Sequence, residues 1–82
     1  MHDERRQYVR RRTFKGGRIV FNRHFSAIEC IVRNLSEGGA CLEVANSIGI
    51  PDDFQLSVAA DGLNRCCHVA WRGSGRIGVA FQ

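Results

Sequence analysis

From residue 18 onward the chain alternates apolar and polar positions in short runs, and turn-forming residues close most of them. A period of two is the signature of a half-buried strand. Residues 18–25, RIVFNRHF, put Ile19, Phe21 and Phe25 on one face, and residues 27–34, AIECIVRN, gather Ile28, Cys30 and Val32. These predict a strand pair joined near Ser26. In ACLEV, residues 40–44, Ala40, Leu42 and Val44 face one way and Cys41 and Glu43 the other. A looser stretch at 45–53 holds the sole proline and leads to FQLSVAA, where Phe54, Leu56 and Val58 face the core. DGLN predicts the next turn. RCCHVAWR, residues 65–72, sets Cys67, Val69 and Trp71 on one face, and after GSG the run RIGVAF alternates Ile77, Val79 and Phe81.

Six strands with short turns fit a small sandwich or barrel. Antiparallel neighbours that curl to protect their edges favour the closed form, so the expectation is an all-β, six-stranded antiparallel barrel. With 82 residues there is room for one domain with a thin core, since a chain this short buries only about 60% of its unfolded surface. The boundaries expected are a flexible basic N-terminal arm at 1–17 and the barrel at 18–82.

Charge divides along the same line. Residues 1–23 carry eight of the twelve basic side chains against Asp3 and Glu4, whereas the remainder has four arginines against six acids. The first part is thus +6 and the rest −2, in accord with the net +4. A basic arm on a nearly neutral body points to an anionic partner.

Other signals narrow the class. No apolar run approaches the roughly 20 residues that cross a bilayer, and no signal-peptide stretch follows the basic start, so a cytoplasmic setting without membrane insertion is expected. There Cys30, Cys41, Cys66 and Cys67 are expected as thiols. Their spacing lacks the C-x-x-C pairs of zinc sites, and no metal is called for.

Two stretches carry candidate chemistry. In RRQYVR, Arg6 and Arg10 lie four apart with Arg5 just before them. Guanidinium forks match phosphate oxygens and also the O6 and N7 acceptors of guanine, and they stack on bases. In NLSEGGA, Asn34 can donate and accept toward a base edge, Ser36 can bond base or phosphate, and Gly39 lets the backbone come close. Taken singly, the first is a solvated charge cluster and the second a strand-ending turn. Together they suit a guanine nucleotide.

The combination resembles the PilZ domain family, receptor modules for cyclic di-GMP. The likeness runs from ERRQYVR through VRNLSEGGACLEV to VAWRGSGRIGVAF. The family pattern, R-x-x-x-R followed by D/N-x-S-x-x-G, falls on Arg6 and Arg10, then on Asn34, Ser36 and Gly39, with Asn in place of the commoner Asp. The resemblance implies a six-stranded antiparallel barrel, cyclic di-GMP as ligand with no cofactor, and an unidentified downstream protein. It also implies that the residue before R-x-x-x-R, here Arg5, bears on whether one nucleotide or an intercalated pair is held. A helix that follows the barrel in many members has no counterpart in this sequence.

Function is thus expected to be that of a non-catalytic receptor whose arm changes conformation on binding. The alternative is a small basic barrel that binds RNA or single-stranded DNA. Such surfaces present several stacking aromatics, whereas Phe21, Phe54, Trp71 and Phe81 read here as core and only Tyr8 and Phe14 lie in the arm. Catalysis has little support. Ser36 lacks a G-x-S-x-G context, and His2, His24 and His68 are in no nucleophile–base pattern.

Overall fold

A computed structural model describes residues 11–82, with side chains from Arg12 onward. Six strands, β1 (Arg11–Phe21), β2 (Ser26–Leu35), β3 (Gly39–Glu43), β4 (Asp53–Val58), β5 (Leu63–Gly73) and β6 (Arg76–Phe81), close into a barrel in the order β1-β2-β3-β6-β5-β4. Every pairing is antiparallel. The expected fold class is the one observed. A 3₁₀ turn, Ala59–Asp61, precedes Gly62, whose φ of 65° is left-handed, so the β4–β5 turn falls at 59–62, ahead of the DGLN position expected.

Alternation builds the core directly. Val32, Leu42 and Ile77 sit in register on β2, β3 and β6 with no exposed surface, and Ile19 meets Leu56 across β1 and β4 in the same state. Each such side chain contributes about 1.5–3 kcal/mol on burial. Cys30, Val44, Phe54, Val58, Cys67 and Val79 complete the filling with Ile50, which the β3–β4 connection sends inward. Arg72 secures that connection by donating to the carbonyls of Ser47 and Ile50 and to the Asp52 carboxylate, at 2.7–2.9 Å.

Three expectations need correction. The barrel begins before residue 18: β1 starts at Arg11, and residues 11–17, read as arm, lie against β2. Here the usual alternation is inverted. Phe14 is exposed, while Thr13, half-buried, donates its hydroxyl to the Val32 carbonyl.

Second, β1 stops at Phe21. Asn22–Phe25 is the hairpin turn, and Phe25 is 86% exposed instead of sharing a face with Ile19 and Phe21. Asn22, Arg23 and His24 all take left-handed φ of 56–71°, a conformation that costs roughly 1–2 kcal/mol per residue. The Phe21 and Asn22 carbonyls accept the His24 and Phe25 N–H groups, and the His24 ring meets Gln55 at 2.9 Å.

Third, Trp71 is not core. A register shift between Val69 and Trp71 reverses the facing of β5, and the indole is 49% exposed on the outer wall. Among the described residues no helix is long and apolar enough to cross a membrane.

Candidate functional site

The turn between β2 and β3 is made by the residues that the sequence singled out. Ser36 donates its backbone N–H to the Gly39 carbonyl at 2.9 Å, and its hydroxyl reaches the same oxygen at 3.3 Å. Gly38 accepts from the Phe81 N–H, which ties the turn to the end of β6. Gly39 is required for a steric reason: its φ is outside the left-handed region, but a Cβ there would overlap the Val79 carbonyl. The close backbone approach expected at this glycine is therefore made, at the least, by β6. Asn34 is different. Among the described residues nothing hydrogen-bonds its side chain.

Register extends this turn into a surface. Arg12, Asn34, Cys41, Gly78 and Trp71 are successive cross-strand partners on β1, β2, β3, β6 and β5. Their neighbours in register, Leu35, Ala40 and Val79, pack inward, so this row lies on the outer wall. The result is a groove of about 480 Å³ with a floor of small residues, Asn34 and Ser36 at one side, and Trp71 and Arg76 at the other. Asn34, Ser36 and Gly39 thus come together in one place.

Two of the groove's residues had been missed. Trp71 was read as core because a β-bulge is invisible to alternation. The available signal was Gly78, since a glycine inside a strand often marks close approach by another group. Here that group is the indole: its pyrrole side lies where a Gly78 side chain would be, and its six-membered ring passes Gly73. Arg76, exposed, lies next to it. The carboxylate facing Arg76 in register, Glu43, is taken by Arg33 at 2.7 Å. Arg33 also lies over the Phe14 ring, 5.3 Å from its centroid. Phe14, Arg33 and Glu43 thus form one contact cluster.

Arg5, Arg6 and Arg10 lie outside the described residues. What is placed is their point of attachment: Arg11 pairs with Leu35 and Arg12 with Asn34. Arg10 is thus joined one residue from a strand position beside the N-x-S-x-x-G turn. Arg6, five residues from Arg11, can be at most roughly 18 Å away. Arg76 lines the groove, and Arg12 lies in the register row that forms it.

All four cysteines are free thiols, Cys41 in the groove and Cys30, Cys66 and Cys67 away from it. Burial pushes Cys30 and Cys67 from an ordinary 9.0 up to about 11, so both stay protonated at neutral pH.

No curated protein matched this chain. A family model, that of the PilZ domain, matched residues 4–82, which takes in the R-x-x-x-R stretch, the turn and all six strands. With nearly the whole length matched and the barrel in place, the chain belongs to the PilZ domain family.

Proposed function

We propose that this domain is a non-catalytic cytoplasmic receptor for cyclic di-GMP. The observation that carries the reading is the register of Arg11 and Arg12 with Leu35 and Asn34, which roots the arginine arm beside the N-x-S-x-x-G turn. In this mechanism Asn34 meets a guanine edge, Ser36 and the turn backbone meet base or phosphate, and Arg6 and Arg10 close over the ligand from the arm. Arg5 adds a third fork and governs whether a second nucleotide is taken. Charge-assisted contacts offset the entropy lost when the arm is ordered, and a downstream protein reads the reordered surface. No cofactor enters.

Calorimetric titration of the full chain with cyclic di-GMP and with a generic single-stranded oligonucleotide, each at two salt concentrations, tests this. Saturable binding of the dinucleotide is expected. An oligonucleotide held by phosphates alone would show a steep salt slope. Absence of cyclic di-GMP binding alongside tight oligonucleotide binding would replace this reading with nucleic-acid recognition.

A further inference from the structure

The seam that closes the barrel covers only part of β1. Its 11 residues are paired with β2 from Arg11 to Phe21, but with β4 only at Arg18, Ile19 and Val20. β4 ends at Val58, and the chain then enters the Ala59–Asp61 turn. Residues 11–16 therefore lie beyond the end of that ladder, and among the described residues they make no backbone hydrogen bond outside the β2 pairing. A strand without a neighbour presents a row of free N–H and C=O groups, and this row is roughly 20 Å long.

The side chains of this edge favour one occupant. Residues 11–18, RRTFKGGR, carry four cations and no acid. Arg12, Phe14 and Gly16 are the exposed positions, while Thr13 and Lys15 are half-buried and engaged, the hydroxyl with the Val32 carbonyl and the ammonium with Asp61 at 2.7 Å. A second copy laid edge to edge would set cation against cation, which destabilises a strand pair, and the arm sequence RRQYVR carries the same sign. The charges that repel another copy attract an acidic strand. Phe14, 73% exposed, offers such a strand a cross-strand contact for a β-branched side chain, and a Cβ at Gly16 would meet nothing within 4 Å, which leaves room on the same face.

We propose that residues 11–16 of β1 capture an extended acidic segment of a partner protein by β-strand addition, with an acid opposite Arg12 and an apolar side chain opposite Phe14. Main-chain pairing supplies the affinity, and these two contacts supply the selectivity. The edge is present without nucleotide, so the inference goes beyond the cyclic di-GMP reading and does not depend on it. It gives a partner a docking place on the strand from which the arginine arm departs.

The probe is a fluorescein-labelled peptide, Glu-Thr-Val-Thr-Glu-Thr-amide, which places acid, apolar and acid side chains on one face. The full chain is titrated into it without nucleotide, and anisotropy is read. Saturable binding is expected, with slower hydrogen exchange at amides among residues 11–16. Two further peptides are N-methylated at alternate residues, each blocking one edge of the strand. Only one edge can face β1, so one version should lose roughly tenfold or more in affinity and the other little. A peptide with lysine in place of glutamate should not bind, and the parent peptide should not bind a chain carrying Arg12→Glu and Lys15→Glu, whose fold is checked by circular dichroism. Absence of binding, equal losses in the two methylated versions, or binding without slowed exchange in residues 11–16 would overturn strand addition. A chain already dimeric by sedimentation, with those amides protected before any peptide is added, would give the edge to a second copy and overturn it too. None of these outcomes bears on the nucleotide titration, which stands or falls separately.

Discussion

The groove over Asn34, Cys41 and Gly78 is smaller than a second cavity that shares none of its lining residues. About 630 Å³ of open space lies along Gly16, Gly17, Glu29, Ile31 and Val44, against about 480 Å³ at the motif turn. The two differ in what their polar groups are doing. In the larger one Arg18 and Glu29 face each other in register as opposite charges, and Glu43 is held by Arg33. In the smaller one the Asn34 amide and the Arg76 guanidinium have no partner among the described residues, and an indole face is open. Volume measures how much could enter, whereas unmet hydrogen-bonding capacity measures what would be held there. The difference is sharpest at two glycines. A Cβ at Gly39 would collide with backbone, while one at Gly16 would meet nothing within 4 Å.

The largest effect should come from that contrast. Gly39→Val forces the β3 backbone off the Val79 carbonyl, which cannot rotate away, and should cost upwards of about 3 kcal/mol in urea denaturation. Stability within about 0.5 kcal/mol of the parent would show that the smaller groove's floor is as slack as the larger one's. Next come the arm arginines. Arg6→Ala and Arg10→Ala should each weaken cyclic di-GMP binding by about 1.5–3 kcal/mol, the range for hydrogen bonds to charged groups. Arg23→Asn at the opposite hairpin tip removes the same charge without disturbing a left-handed residue and should change affinity little. Equal losses in all three, read by calorimetry, would erase the distinction between a site and a general positive field.

The strand alternation was enough to place Ile19, Val32, Leu42, Leu56 and Ile77 in the core, because a closed barrel buries every inward position. It failed where the backbone leaves strict alternation. Phe25 continues the spacing of Ile19 and Phe21, yet the chain has already turned at Asn22. Trp71 follows Val69 by two residues, but the register shift between them reverses its facing. Residues 11–17 were obscured in another way: their inward positions include Thr13 and Gly17, whose burial depends on a hydroxyl bond and on tight packing against Cys30 and Val32. Apolar periodicity carries no trace of either. Of the site, Asn34, Ser36 and Gly39 were legible because the motif is local in sequence. Arg76 and the seat of Trp71 were not, since their meaning comes from strands adjacent only after the barrel closes.

A third expected effect concerns Cys30, which lines the larger groove, together with Cys67. The unfolded chain releases these protons near pH 9, whereas the folded barrel keeps them to about pH 11. Their contribution to stability is therefore full below about pH 9 and declines as pH rises toward 11, by at most about 1.4 kcal/mol per pH unit for each thiol. Urea denaturation at pH 8 and pH 10.5 should show the decline, and the Cys30→Ala and Cys67→Ala double variant should flatten it. An unchanged slope in that variant would assign the loss to other groups. The smallest effect belongs to Gly16→Ala. It should leave nucleotide binding unaltered and raise stability by about 0.4–1 kcal/mol, through the reduced freedom of the unfolded chain. A loss of cyclic di-GMP affinity in this variant would bring the larger groove into the site.

The barrel closes along its shortest ladder. Three pairs, Arg18–Ser57, Ile19–Leu56 and Val20–Gln55, join β1 to β4, against four to nine in the other five ladders. These partners are also far apart along the chain, so the seam forms only after a long loop has been closed at an entropic cost, unlike the neighbouring hairpins. Folding should therefore zip the β1–β2 and β5–β6 hairpins early and fasten the seam late, and native-state opening should start where fastening finished. The strand on one side of that seam also carries the root of the arginine arm. If the arm holds ligand as proposed, its load falls on β1, one of the two strands of that seam, and binding at the surface would then bear on how readily the barrel opens.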